Sequence, residues 1–277
     1  MNCKHVLAIF LSGLLTIASA RAQPNESSVV QSGVELRIGG DKIPADVFER
    51  ADHPAGATIL VLHGAGGILF DGPEMRRVGR SLAADGNAVY LIHYFAKTGT
   101  LFALDSTMQK NFDTWLKTVR GAVVAVQELR GDASPVGIYG YSLGGFLSLL
   151  AASDNPRVGA VVEHAGGIWN NKMERVGKMP PVLMIHGLED ARVPVEKYAK
   201  PLIPVLRQHA PTVATRFFPG EGHGFASAAM VKVREEARRF FRAHLARETK
   251  SPAPKSGSRG KIGRARGTAR RRAAGPA

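Results

Sequence analysis

Residues 140–145 read Gly-Tyr-Ser-Leu-Gly-Gly, a lone serine between glycines with apolar runs before and after it. A serine hydroxyl attacks a carbonyl only when a base takes its proton, and the base acts well only when a carboxylate orients it. The stretch fits the G-x-S-x-G elbow, a sharp strand-to-helix turn that lifts the serine oxygen above a sheet. It fits equally a plain turn in which glycines relieve crowding and Ser142 caps the following helix. The rest of the chain has to separate the two.

A base and an acid are available in the right order. Of nine histidines, His223 stands between glycines in Gly220-Glu221-Gly222-His223-Gly224-Phe225, where local packing gives an imidazole no reason to be. Asp190 lies in His186-Gly187-Leu188-Glu189-Asp190-Ala191-Arg192-Val193-Pro194. It could instead cap a helix beginning near Pro194, and Glu189 is its obvious substitute. Ser142, Asp190 and His223 follow one another in the order serine, acid, base, which is the chain order of the α/β-hydrolase triad. Acyl transfer also needs donors for the oxyanion. His63-Gly64-Ala65-Gly66-Gly67 is a turn whose amides no large side chain shields. The amide of Ala65, with Gly66 as second choice, is expected to join the amide of Leu143 in an oxyanion hole, each donor worth about 3 kcal/mol of barrier. A phosphate-cradling reading of that turn lacks the G-x-G-x-x-G or Gly-Lys-Ser/Thr pattern.

These residues need a frame. Six segments read as strands: 58–63, 88–94, 136–141, 158–163, 182–186 and 213–218. Most are continuous Val, Ile and Leu runs, as in strands buried on both faces. An apolar stripe at helical steps (Phe112, Trp115, Leu116, Val119, Val123, Val126) lies between the second and third. Residues 143–152 form a short apolar helix, and Met230 to Leu245 repeats the helical step. The alternation predicts an α/β domain, with a mostly parallel central sheet and helices on both faces. An N-terminal antiparallel hairpin over 34–38 and 43–48 opens it, and no large cap domain is expected. Residues 95–110 read as a loop beyond a strand end, where such folds bind ligands. His63, His93, His164 and His186 all fall at strand ends, as hydrogen-bonded structural histidines would. His63, Gly64, Tyr141 and Trp169 are the candidates for contact with a substrate, with His164 in reserve.

The 277 residues carry one cysteine, Cys3, and a formal charge of +14. Lys4, an apolar run to Ile17 and Ala18-Ser19-Ala20-Arg21-Ala22 read as a secretory signal, residues 1–22, cleaved after Ala20 or Ala22. The run is shorter than the roughly 20 apolar residues of a membrane span. The mature chain then has no thiol, so no disulfide, no sulfur-ligated metal and no cysteine nucleophile are expected. No cofactor is expected either. Residues 250–277 carry nine Lys or Arg and no acid, leaving about +3 for the domain over 23–249. That domain is no nucleic-acid binder on charge grounds. The basic tail is expected to be disordered and to attract polyanions or anionic envelope surfaces.

The pieces "LVLHGAGG", "GYSLGG", "HGLEDARVP" and "GEGHGF", in that order, resemble the dienelactone hydrolase family of α/β-hydrolases. The resemblance implies one domain that hydrolyses esters or lactones. By motif it implies Ser142 as nucleophile, Asp190 as acid, His223 as base, and Ala65 and Leu143 as oxyanion donors. The best-known members carry cysteine where Ser142 stands, and an acidic residue where Gly64 stands. The expectation is therefore an exported, periplasmic or secreted serine esterase acting on small-molecule esters or lactones. A non-catalytic binding protein of the same fold and a peptidase-like serine hydrolase are the alternatives.

Overall fold

The computed structural model describes residues 26–52 and 56–245. The predicted signal (1–22) and basic tail (250–277) lie outside them. The strands are β1 (Val29–Ile38), β2 (Asp41–Arg50), β3 (Thr58–Leu62), β4 (Ala88–Ile92), β5 (Val136–Tyr141), β6 (Val158–His164), β7 (Val182–Gly187) and β8 (Val213–Phe218). They form one sheet in the order β1-β2-β4-β3-β5-β6-β7-β8, with β3 to β8 parallel and β1 and β2 antiparallel. The hairpin is longer than its apolar pattern indicated, ten residues in each arm. Gly39 and Gly40, at φ 56° and 89°, close it as a two-residue turn, a conformation that suits glycine and matches the strand twist.

The helices are α1 (Gly67–Phe70), α2 (Gly72–Ala83), α3 (Asp105–Arg130), α4 (Leu143–Ala152), α5 (Val195–Tyr198), α6 (Leu202–His209) and α7 (Ser227–His244). Every residue of β3 and β4 is buried, and successive side chains serve opposite faces. Leu60 and Leu62 join one core with α3, α4 and α6, whereas Ile59 and Val61 join a second with α2 and α7. This two-sided burial is why the strands lack alternation. Among the described residues no helix is long and apolar enough to cross a membrane.

The stretch 95–110 differs from the loop expected of it. A 3-10 turn over Tyr94–Thr98 ends on Gly99 at φ 63°, and α3 begins at Asp105. The first turns of α3 are exposed or half-buried, so they carry no apolar stripe to betray a helix.

Candidate active site

The elbow between β5 and α4 is built by its glycines. A Cβ on Gly140 would overlap the carbonyl of Gly144, and one on Gly144 would stand 2.5 Å from the carbonyl oxygen of Leu62. The tight turn leaves Ser142 at φ 54° and ψ −119°, a strained conformation for a residue with a side chain. Its amide donates to the His164 carbonyl at 2.8 Å, and its own carbonyl accepts from Gly145 and Phe146. The hydroxyl makes no capping bond to α4. It lies instead 2.9 Å from Nε2 of His223.

His223 hangs on the loop leaving β8, and its Nδ1 is 2.8 Å from Oδ2 of Asp190 on the loop leaving β7. Oδ1 of Asp190 accepts from the amides of Arg192 and Val193, at 2.9 and 2.7 Å. Burial works to raise the pKa of this carboxyl, but the bonds from His223 and the two amides outweigh it and hold the group below its ordinary value. Asp190 therefore stays charged at neutral pH and caps no helix with its side chain. Glu189, the substitute, is exposed. The Tyr141 hydroxyl donates to the His223 carbonyl at 3.2 Å, which steadies the loop.

The turn after β3 sorts its own donors. The Gly66 amide donates to Oδ2 of Asp71 at 3.0 Å, so it is already engaged. The Ala65 carbonyl accepts from Ala103 at 2.8 Å, fixing the turn. Among the described residues the amides of Ala65 and Leu143 have no acceptor, and both residues line a cavity of about 430 Å³ with Ser142. Asp71 was not foreseen, because only the folded turn brings residue 71 back to residue 66.

The expected substrate contacts divide. Trp169 lines the same cavity, braced by Phe112 and Phe146 at ring distances of 4.7 and 5.3 Å. Met108, Lys172, Arg192 and Tyr198 line it too. Arg192 is paired with Asp105 across the cavity wall. None of these four carried a recognisable spacing in the sequence. His63 is corrected: it is fully buried, donates from Nδ1 to the Gly64 carbonyl at 2.8 Å and stacks on Tyr94 at 4.2 Å. Burial holds its pKa down at about 3, so it is a neutral packing residue out of a ligand's reach. Gly64 is buried as well. A Cβ there would meet Asp71 at 2.8 Å and the Ser142 Cβ at 3.0 Å, so a side chain would crowd the elbow. Tyr141 and His164 face a second, smaller cavity and not the one that Ser142 lines.

Beneath the site lies a buried pair, Glu163 and His186, 3.0 Å apart. The other oxygen of Glu163 holds the Gly166 amide at the exit of β6. Burial lowers the pKa of His186, but the charge and hydrogen bond of Glu163, helped by Asp190, overcome this and raise it above the ordinary 6.5. Removing one partner of such a pair costs about 3–5 kcal/mol. Glu163→Ala is expected to lose that much stability by denaturant unfolding near pH 6. A raised imidazole pKa contributes stability that is full below about 6.5 and fades as pH rises through the folded value. The gap between wild type and variant should therefore narrow toward alkaline pH; a gap that widens would contradict the assignment.

A model of the dienelactone hydrolase family matches residues 44–245. Among curated proteins, none matches this chain. Similar solved structures include a dienelactone hydrolase from Anabaena variabilis, at 21% identity and TM-score 0.56 over 79% of this chain and 99% of that one. A dienelactone hydrolase-like promiscuous phosphotriesterase from metagenomic libraries is 17% identical, with TM-score 0.67 over 79% and 100% of the two chains. An acylaminoacyl peptidase from Pyrococcus horikoshii is 15% identical, with TM-score 0.62 over 81% of this chain but 43% of that one. At these identities the likeness is one of fold.

Proposed function

This chain belongs to the dienelactone hydrolase family, and from that premise we propose an exported serine hydrolase that cleaves small carboxylic esters or lactones. The observation that carries the reading is the continuous chain from Ser142 Oγ to His223 to Asp190, at 2.9 and 2.8 Å. His223 Nε2 takes the hydroxyl proton as Oγ attacks the carbonyl carbon. The oxyanion that forms accepts from the amides of Ala65 and Leu143, which are fixed before substrate arrives. His223 then passes its proton to the departing alcohol oxygen, leaving an acyl-enzyme on Ser142. Water, deprotonated by the same imidazole, releases the acid. Asp190 remains ionised throughout and balances the imidazolium. Export rests on the N-terminal sequence, and the mature chain is expected to begin at Arg21 or Gln23.

The test is to treat the folded protein with a fluorophosphonate and, in parallel, with p-nitrophenyl esters of rising chain length and with lactones. Labelling of the peptide that contains Ser142, together with turnover of at least one ester or lactone, is expected. Folded protein that is neither labelled nor active on any of them is a binding protein with a hydrolase frame.

A further inference from the structure

A second cavity, of about 230 Å³, opens beside the first and shares none of its lining residues. Phe70 at the end of α1, Met75 of α2, Tyr141 of the elbow, Phe225 of the His223 loop and Met230 of α7 supply its apolar wall. We propose that this cavity receives the alcohol half of the ester and favours aryl alcohols. The proposal rests on the hydrolase reading above and adds the leaving group to it.

Direction is the first argument. The carbonyl oxygen must face the Ala65 and Leu143 amides, so the acyl half lies in the cavity those residues line with Ser142. The alcohol oxygen must instead face Nε2 of His223, from which it receives its proton. The second cavity is lined not by His223 itself but by residues that flank it. Tyr141 packs on the His223 ring at 5.5 Å, and Gly224 and Phe225 directly follow it in the chain.

Chemistry is the second. The first cavity is walled partly by Asp105, Lys172 and Arg192, whereas the second presents aromatic faces and two thioethers. Its carboxylates are already engaged, Asp71 by the Gly66 amide and Glu74 by Arg77 and Arg234. His164 is neutral, since burial holds its pKa at about 3. With Nδ1 bonded to the Tyr139 hydroxyl, Nε2 of His164 is a buried polar atom without a partner. A phenol fits this set, its ring among Phe70, Tyr141 and Phe225. Size allows it, because an apolar cavity of about 150 Å³ holds benzene. The arrangement also gives a use to Phe70, which is 65% exposed and meets the Phe102 ring edge-on.

The step is balanced. The Ser142 Oγ–acyl bond forms, the acyl–aryloxy bond breaks, and the serine proton travels through His223 Nε2 to the phenol oxygen.

Methyl, phenyl and 2-naphthyl esters of one acid should be compared in wild type, Phe70→Ala and Met230→Trp. Filling the cavity with Trp is expected to lower kcat/KM for the naphthyl ester about tenfold or more. The methyl ester should stay within about twofold, and deacylation, which all three esters share, should not change. Phe70→Ala, at an exposed position that does not threaten folding, should cost the aryl esters about three- to tenfold. Equal losses for methyl and naphthyl esters, or none for either, overturn the proposal. Fluorescence titration of 2-naphthol into Ser142→Ala protein gives a readout free of turnover. Binding that Met230→Trp or Phe70→Ala weakens supports the cavity even if no ester is hydrolysed, in which case it is the hydrolase reading that falls. Ester hydrolysis without naphthol binding leaves the hydrolase standing and removes the alcohol site.

Discussion

Replacing Ser142 by Ala is expected to abolish fluorophosphonate labelling and to lower kcat by about 10⁶-fold on the best ester. Among the described residues the hydroxyl hydrogen-bonds to His223 alone, so the fold has little to lose. The elbow is held by backbone bonds that alanine keeps, the Ser142 amide to His164 and its carbonyl to Gly145. Melting temperature should therefore move little. His223→Ala should cost nearly as much, and the double variant no more than either single one, because the pair acts as a unit. The rate that survives, about 10³–10⁴ over water, would come from the Ala65 and Leu143 amides and from binding. A folded Ser142→Ala protein with undiminished kcat would remove the acyl-enzyme from the mechanism.

Asp190→Asn should lower kcat by about 10⁴-fold with the loops in place. The side-chain oxygen that accepts from the Arg192 and Val193 amides can be kept by asparagine. What changes is the atom facing Nδ1 of His223. A carboxylate accepts there, whereas an amide NH₂ donates and forces the proton to Nε2, the atom that must accept from Ser142. The loss should fall on kcat more than on KM, and steady-state kinetics on one ester decides it. A variant within tenfold of wild type would show that the carboxylate charge is dispensable. The pH dependence follows from the lowered pKa of Asp190. The stabilising bonds of the ionised group are present above the ordinary 3.8 and are lost as pH falls through the folded value. Activity at pH 5 should not be limited by this group.

What the chain disclosed about itself depended on distance along it. Strands β5 and β8 and helix α4 have the bounds their residues foretold, because their marks lie within six to ten neighbours: burial on all sides in β5 and α4, and in β8 a short stretch closed by Pro219 and Gly220. The elbow glycines were visible for the same local reason. Helix α2 gave a weaker mark, since Gly72, Pro73 and three arginines interrupt its apolar residues. Glu163 holding His186 and the Phe225 wall of the second cavity were invisible, because each joins segments that only the folded sheet brings together. Asp71 holding the Gly66 amide is local, five residues on, but no spacing marks a carboxylate for that task before the turn is folded. His63 misled for a related reason. Its place beside the turn is a fact of sequence, but its descent beneath the turn onto Tyr94 is a fact of packing.

The position of β8 has a consequence for how the molecule fails. Among the described residues the strand pairs only with β7, and all its residues are half-buried or exposed, whereas β5, which leads to Ser142, lies between β3 and β6 with its first five residues buried. Opening free energies follow such differences in contact, from near zero at edges up to the global value at the centre. His223 is thus tied to a unit that can detach while Ser142 stays seated. Displacement of the imidazole and loss of the fold are expected as two events, the first at a lower temperature than the second.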